Sequence, residues 1–301
     1  MSLMKRWSAS ALMLLSMALP ATAQDGKGDV VYVPTPQIVV DEMLRMAKVG
    51  AGDFLIDLGS GDGRIVITAA KKYNARGFGV DLDTYLLQQA REGARRAGVA
   101  DKVQFIEQNL FETDLSRATV ITSYLLPEMN ERLRPRLLAL KPGTRVVTHD
   151  YDMGEWYPDE QKTLEVPEKQ VGDSGKSYIF FYVVPAKIAG KWESLITLDN
   201  RGVIYEFDFD QSFQKVSGEA RVDGKPARLP LFNVRGDRLD FEAELPRGSG
   251  LAKHHFQGRV AGDAIEGTVT IGGQKALPWK ARLRARGELR ISTLDAAGMP
   301  Q

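Results

Sequence analysis

The residues best suited to chemistry lie in one stretch, Phe54–Ala70, which reads FLIDLGSGDGRIVITAA. A short apolar run leads into a turn with three glycines, and an amphipathic helical pattern follows. A strand, a Gly-rich turn and a helix N-terminus together form a nucleotide cradle, because glycines let a ligand approach the backbone and free N–H groups face it. The spacing of Gly59, Gly61 and Gly63 is G-x-G-x-G. A dinucleotide fold requires G-x-G-x-x-G, with its third glycine where Arg64 stands, and a P-loop requires a lysine and a hydroxyl residue that do not follow here.

An acidic residue, Asp57, stands two positions before the first glycine and completes the pattern D-x-G-x-G-x-G. This pattern resembles motif I of the S-adenosylmethionine (SAM)-dependent methyltransferases. Any Gly-rich turn after a strand can produce such a string, so the downstream residues must decide. Two further strands are predicted at suitable spacing, over Ala75–Asp83 and over Lys102–Asp114. We therefore expect a nucleoside-binding α/β sheet with SAM as its cofactor.

Polar residues end these predicted strands. Asp81 is placed at a carboxyl edge, where it can accept hydrogen bonds from both ribose hydroxyls of a nucleoside. Asn109 stands where methyltransferases usually carry an acid that meets the adenine amino group, and its carbonyl oxygen can still accept. The resemblance also implies that Leu82 packs on one face of adenine and that Asp57 attracts the amino group of the methionine half.

Two further segments resemble a small family of lysine N-methyltransferases known from mitochondria, which modify the c subunit of ATP synthase and the adenine nucleotide carrier. The first, YVPTPQIVVDEML, covers Tyr32–Leu44. In that family a Pro-Thr segment with a following glutamine lies over the cofactor, which implies this role for Thr35 and Gln37. The second, YLLPEM over Tyr124–Met129, matches the acceptor-site loop of that family. The resemblance covers residues 31–159 and implies a protein lysine, or a similar amine, as the methyl acceptor.

The candidate catalytic residues are Tyr124 and His149, near the predicted ends of the fourth and fifth strands. A lysine amine must lose its proton before it accepts a methyl group, and these two residues or Asp150 could assist. The alternative is that Tyr124 only shapes the wall of the pocket, and the same alternative holds for His149. Because SAM carries an activated methyl group, we expect orientation to matter more than acid–base chemistry. The loop lacks the N-P-P-Y string of amide and adenine methyltransferases, which argues against DNA bases and glutamine amides.

Composition excludes several other classes of function. The 301 residues carry a net charge of +1 with no basic stripe, so we expect no nucleic-acid partner. The chain has no cysteine and only three histidines, so we expect neither disulfides nor a metal site. The hydrophobic content of 43% is enough for well-formed cores.

The N-terminal residues predict a signal peptide over residues 1–23. Lys5 and Arg6 precede the apolar core Ala9–Leu19, and Ala21–Ala23 forms an A-x-A cleavage site. We therefore expect a bacterial mature chain that begins at Gln24, is periplasmic or secreted, and has no integral membrane segment. An uncleaved anchor or a misassigned start is the alternative.

The mature chain is predicted to contain two domains and a tail. Residues 24–185 alternate strands and helices, which predicts a Rossmann-like SAM methyltransferase sheet, mainly parallel and closed by an antiparallel hairpin over Lys162–Glu168 and Ser177–Val184. A helix is expected over Thr84–Gly98, with Thr84 as its N-cap. Residues 186–293 show only short alternating runs between turn signals, which predicts a small antiparallel barrel or sandwich of seven or eight strands. This part weakly resembles lipocalin-like barrels, with Trp192 and Trp279 expected in its core. Residues 294–301 are expected to be a disordered tail.

Export and SAM are in tension, because SAM is made and used in the cytoplasm. Two hypotheses therefore remain open at this point: an exported methyltransferase, and an exported binding or scaffold module that keeps the fold without catalysis. The intact motif residues Asp57, Gly59, Gly61, Gly63 and Asp81 favour retained cofactor binding.

Overall fold

The computed structural model describes residues 31–198, 200–247 and 250–290. The predicted signal peptide and the predicted tail lie outside these residues. The first part of the described chain contains four helices and seven strands. Their bounds are α1 Gln37–Met46, β1 Phe54–Leu58, α2 Arg64–Tyr73, β2 Arg76–Asp81, α3 Thr84–Arg96, β3 Val103–Glu107, β4 Val120–Ser123, α4 Pro127–Leu138, β5 Arg145–His149, β6 Glu160–Glu165 and β7 Lys176–Val183.

The seven strands form one sheet in the order β3-β2-β1-β4-β5-β7-β6. Strands β1 to β5 pair in parallel, whereas β7 is antiparallel to both β5 and β6. This confirms the predicted methyltransferase sheet and its closing hairpin. The strand order reverses between β1 and β4, and such a switch point opens a crevice at the carboxyl ends of the strands. The residues after β1 to β5 therefore share one edge of the sheet, which we call the carboxyl edge.

Helices on both faces of the sheet explain why β1 is apolar almost throughout. Leu55, Ile56 and Leu58 are fully buried, as expected of a parallel strand covered on both sides. The predicted N-cap of α3 is wrong by one residue. Asp83 caps this helix, because its carboxylate accepts from the N–H groups of Tyr85 and Leu86 at 2.9 and 3.2 Å.

The remaining ten strands form a second sheet, which is antiparallel except where β17 pairs with β9 in parallel. Two backbone hydrogen bonds between Arg228 and Glu244, of 2.7 and 2.8 Å, join its two edges. The sheet is thus a nearly closed barrel, as predicted, with more strands than expected because β11, β12 and β17 are only two or three residues long. The bounds are β8 Gly190–Leu198, β9 Arg201–Ser212, β10 Lys215–Val222, β11 Lys225–Ala227, β12 Phe232–Asn233, β13 Arg238–Arg247, β14 Gly250–Ala261, β15 Ala264–Ile271, β16 Leu277–Arg286 and β17 Leu289–Arg290.

Aromatic side chains fill the inside of the barrel. Phe241 lies 5.1 Å from Phe256 and 5.8 Å from Trp279, measured between ring centroids. Trp192 and Trp279 are 1% and 0% exposed, which confirms them as core residues. Aromatic pairs at these distances stabilise a core beyond the area they bury.

The barrel docks on the methyltransferase sheet through the turn between β9 and β10. Phe213, in this turn, is buried in the apolar cluster that contains Trp156 and Tyr182 of the first domain. The next residue, Gln214, donates from its side chain to the carbonyl of Tyr157 at 2.7 Å. The barrel therefore contacts the segment that follows β5, close to the carboxyl edge.

None of the four helices combines the length and hydrophobicity that crossing a lipid bilayer requires, over the ranges of the chain that the structure describes.

Candidate active site

The glycine turn lies at the carboxyl edge in a conformation that requires glycine. Gly59, Gly61 and Gly63 have φ angles of 75°, 51° and 75°, a region that side chains with a Cβ rarely adopt. A Cβ on Gly63 would lie 2.4 Å from the ring of Phe105, so this glycine also allows α2 to pack against β3. The glycine spacing seen in the sequence thus reflects backbone shape as well as access for a ligand.

The carboxylate of Asp81 faces the glycine turn from the end of β2. Its two oxygens accept from the N–H of Gly61 at 2.8 Å and from the N–H of Asp83 at 3.0 Å. These bonds fix the carboxylate beside the turn, and each oxygen keeps acceptor capacity for a further donor. Leu82, the next residue, is 39% exposed and presents an apolar surface beside this carboxylate.

Asp57 lies on β1 directly opposite Thr122 of β4, whose hydroxyl donates to it at 2.7 Å. The Asp57 side chain is buried, with only 2% exposure. Burial, with smaller contributions from the charges of Asp81 and Asp62, raises the pKa of Asp57 to about 7. The site therefore holds a carboxyl group whose charge changes near neutral pH.

The segment Tyr32–Pro36 crosses the carboxyl edge above the glycine turn. The Tyr32 ring covers Gly61, because a Cβ on this glycine would lie 2.3 Å from the ring. The carbonyl of Thr35 accepts from the Arg64 side chain at 2.9 Å. The Thr35 hydroxyl lies 3.2 Å from Nδ1 of His149. The segment thus connects the glycine turn with the end of β5, and we call it the strap.

Two predicted cofactor contacts, Gln37 and Asn109, make side-chain hydrogen bonds within the protein. The exposed Gln37 begins α1 and donates from its side chain to Asp41 at 3.0 Å and to Thr68 at 3.3 Å. Asn109 lies two residues beyond β3, and its side-chain oxygen accepts from the N–H of Phe111 at 2.9 Å. Asn109 still has a free lone pair at the carboxyl edge, whereas Gln37 lies toward the helices.

Tyr124 and Asp150 form the second half of the site, after β4 and β5. The Tyr124 hydroxyl donates to Oδ2 of Asp150 at 2.8 Å. Burial and this hydrogen bond raise the pKa of Tyr124, so the phenol keeps its proton at neutral pH. The neighbouring Leu125 contacts the glycine turn, since a Cβ on Gly59 would lie 3.0 Å from Leu125 Cδ2. The loop that carries Tyr124 therefore touches the nucleotide cradle.

Asp150 receives an unusual number of donors. Lys169, on the loop between β6 and β7, places Nζ 2.8 Å from Oδ1 and 2.7 Å from Oδ2 of Asp150. The N–H of Tyr178 donates to Oδ1 at 3.1 Å. Asp150 itself has a φ of 61°, which an aspartate tolerates better than most side chains.

His149 connects several elements of the site. It is fully buried, its Nδ1 faces Thr35, and its Nε2 lies 3.1 Å from the hydroxyl of Ser177. Burial lowers the pKa of His149 to about 4, so the ring is neutral at physiological pH. Its ring centroid lies 4.0 Å from that of Tyr124. His149 thus orients both the strap and the Tyr124 ring.

The sequence did not predict the roles of several residues of the site. Lys169 gives no signal in the sequence, because a single lysine in a polar loop is usually exposed to solvent. Arg64 departs from the dinucleotide pattern, but the sequence does not indicate that it holds the strap through the carbonyl of Thr35. Asn130 of α4 is buried and donates to the carbonyls of Tyr151 and Asp152 at 3.2 and 3.1 Å. The spacing of Asn130 from Leu133 and Leu137 places it on the apolar face of α4, and this is a signal that the sequence carries.

Comparison with known proteins agrees with this geometry. Residues 57–160 match the family model of the ANTKMT methyltransferase domain. The chain is 46% identical over 136 residues to a protein-lysine N-methyltransferase from Saccharolobus islandicus, which covers 44% of this chain and 84% of that protein. It is 34% identical over 132 residues to the lysine N-methyltransferase of the ATP synthase c subunit from Mus musculus, covering 42% of this chain and 51% of that protein.

Among solved structures, an RNA methyltransferase from Salinibacter ruber in complex with S-adenosyl-L-homocysteine is 49% identical, with a TM-score of 0.47 over 52% of this chain and 96% of that one. The chain spans only about half the length of the mammalian enzymes that methylate the ATP synthase c subunit. The archaeal relative is covered over most of its length. The chain therefore belongs to the protein-lysine N-methyltransferase family and is a SAM-dependent methyltransferase.

Proposed function

We propose that the protein transfers a methyl group from SAM to the ε-amino group of a lysine in a protein acceptor. The observation that carries this proposal is the buried carboxylate of Asp150, which lies beside Tyr124 in the loop that touches the glycine turn. This carboxylate holds the ammonium group of Lys169 at 2.7 Å, so its place suits a cationic amine. The names of the archaeal and mouse relatives support the same acceptor class.

The residues at the carboxyl edge fit SAM by the chemistry of their donors and acceptors. Asp57 offers a carboxylate for the ammonium of the methionine half, and Asp81 offers one for the ribose hydroxyls. Asn109 offers an amide oxygen for the adenine amine, and the exposed Leu82 offers an apolar face. The glycine turn keeps side chains out of the space between them. The strap, including Thr35, covers this half of the site.

SAM supplies a methyl group on a positively charged sulfur, which makes a good leaving group without metal or covalent help. The work of this chain is to orient the two reactants. Tyr124 keeps its proton and donates to Asp150, so the phenol oxygen can accept from an amine hydrogen. Asp150 stabilises the ammonium form until the proton leaves to solvent. The neutral His149 holds the Tyr124 ring in place.

We expect cofactor binding to tighten as the pH rises from about 5 to 8. The pKa of Asp57 is about 7 in the free protein, and a cationic amine favours its ionised form. Binding at pH 6 should therefore release a proton, detected by calorimetry in two buffers that differ in ionisation enthalpy.

Without cofactor, the folded state binds more protons than the unfolded state between about pH 4 and pH 7, so the free energy of unfolding should fall as the pH rises across that range. An Asp57→Asn variant that keeps the same pH dependence would contradict this assignment.

Labelled-methyl transfer tests the proposed acceptor. The mature chain is incubated with SAM that carries a labelled methyl group and with a panel of lysine-rich proteins, each paired with a version whose amines are chemically blocked. The label should appear on lysine ε-amines, located by mass spectrometry, and should disappear when the amines are blocked. Label on RNA, or on no acceptor while SAM binds, would contradict the proposal. The second outcome would favour a binding module without catalysis.

We also propose that the protein acts after export, as a mature chain that begins at Gln24. Lys5, Arg6, the apolar core and the A-x-A site support this proposal. N-terminal sequencing of protein from a periplasmic fraction tests it, and full-length protein confined to the cytoplasm would contradict it. An exported enzyme needs an external supply of SAM, so co-purified SAM in that fraction would support catalysis over a scaffold role.

A further inference from the structure

The loop between β6 and β7, residues 166–175, buries an unexpected residue. Residues 167–174 are all exposed except Lys169, whose side chain is only 4% exposed. The same loop leaves Val171 53% exposed. Lysine is among the residues least often buried, and valine among those most often buried. A loop that turns Lys169 inward while Val171 stays outside must gain something specific from the lysine.

The ammonium of Lys169 makes the contacts that an acceptor lysine would need. Its Nζ donates to both oxygens of Asp150 at 2.8 and 2.7 Å, and also to the carbonyl of Lys176. One of these carboxylate oxygens accepts from the Tyr124 hydroxyl at 2.8 Å. A primary ammonium group thus already binds the carboxylate that also accepts from the Tyr124 phenol. The proposed function places the acceptor amine at this carboxylate and this phenol.

The place of the loop agrees with this role. Strand β7 runs antiparallel to β5, so the loop before it lies at the carboxyl edge together with the glycine turn. The backbone of Lys169 is held by its own turn, since its N–H donates to the carbonyl of Val166 and its carbonyl accepts from the N–H of Gly175. The hydrogen bonds from this loop to Asp150 come from the Lys169 side chain. A change of side-chain rotamer can therefore empty the Asp150 position without unfolding the hairpin.

We propose that Asp150 and Tyr124 form the binding site for the ammonium group of the acceptor, and that Lys169 occupies this site as an internal substitute until an acceptor displaces it. This inference rests on the proposed lysine acceptor. In the free enzyme Lys169 keeps the buried carboxylate of Asp150 paired, which avoids the cost of an unpaired buried charge. It also selects acceptors, since only a cation can replace it without leaving Asp150 uncompensated.

The first test uses the wild-type protein and hydrogen exchange. n-Butylammonium imitates the end of a lysine side chain, and n-butanol is the uncharged control. n-Butylammonium should speed amide exchange across residues 166–175, because it releases the loop from Asp150, whereas n-butanol should not. Unchanged exchange at saturating n-butylammonium would overturn the proposal and leave Lys169 as a structural ion pair.

The second test uses Lys169→Met, with Lys191→Met as the matched control. Lys191 lies in the barrel, 68% exposed, and pairs with Asp208 at 3.8 Å. For a synthetic lysine peptide, Lys169→Met should lower KM by about tenfold, because the competing occupant is gone and a larger fraction of the enzyme can bind. Lys191→Met should match wild type. A raised KM in folded Lys169→Met would contradict the proposal.

Failure of this inference and failure of the proposed function are distinguishable. A wild-type enzyme that methylates no lysine refutes the function, whereas the exchange experiment needs no methyl transfer. Lysine methylation by the wild type together with an unresponsive loop refutes only the role of Lys169. If Lys169→Met does not fold, the exchange experiment on the wild type decides alone.

Discussion

Gly61→Val should reduce SAM affinity by about 100-fold. The valine side chain would fill space beside the cofactor and would disturb Asp81, so a charged hydrogen bond to the cofactor would be lost. Gly61 has a φ of 51°, and a Cβ there would lie 2.3 Å from the Tyr32 ring. A β-branched residue is strained in this conformation by at least about 1–2 kcal/mol. The turn must therefore change shape, which moves the N–H that fixes Asp81 and pushes the strap away. Isothermal calorimetry measures the effect.

Gly52→Val is the matched control for this substitution. Gly52 precedes β1, its φ is not in the left-handed region, and a Cβ there would have no neighbour within 4 Å. We expect Gly52→Val to bind SAM as tightly as wild type. Equal affinity in Gly61→Val and Gly52→Val would show that the glycine turn does not approach the cofactor.

Phe213→Ala should destabilise the protein by about 3–4 kcal/mol, the usual cost of removing a fully buried phenylalanine. Phe213 is 5% exposed and lies in the core of the methyltransferase sheet, although it belongs to a barrel turn. The guanidinium of Arg134 lies 5.5 Å from the ring centroid and would lose this contact. Equilibrium unfolding in urea measures the change, and loss of a single transition would show that the two sheets have become uncoupled.

The control for Phe213 is Leu231→Ala. Leu231 is an apolar barrel residue that is 66% exposed, so its removal should change stability by less than about 0.5 kcal/mol. Similar losses for both variants would mean that the docking turn contributes little. In that case a chain truncated after Pro185 should fold alone, as the predicted domain division at residues 185 and 186 implies. A large loss for Phe213→Ala predicts instead that this truncated chain exposes an apolar patch.

The sequence predicted the parts of the fold that depend on local patterns. The glycine turn, the acid at the end of β2 and the closing hairpin were recognisable because strand periodicity and turn residues are local features. The N-cap of α3 was missed by one position, because Asp83 and Thr84 are adjacent and both can cap a helix. The extended backbone at Asp83, with a φ of −83° and a ψ of 102°, and the two N–H groups that its carboxylate binds distinguish them.

Features that depend on distant contacts could not be predicted from local patterns. Phe213 follows an alternating barrel strand, and that period assigns it to the barrel core. Its φ of 53° turns it out of the strand and into the other domain. Lys169 lies nineteen residues from Asp150, and its burial depends on how the hairpin folds back over β5. His149 has a buried, neutral ring because the strap covers it, and this contact spans 114 residues.

One calorimetric titration tests the cofactor assignment most directly. The protein is titrated with S-adenosyl-L-homocysteine and, separately, with NAD. We predict one binding site per chain for S-adenosyl-L-homocysteine and no heat with NAD. The glycine spacing and the acids at the ends of β1 and β2 suit a nucleoside that is joined to an amino acid. Clear binding of NAD, with no heat from S-adenosyl-L-homocysteine, would contradict the assignment of the site and the function built on it.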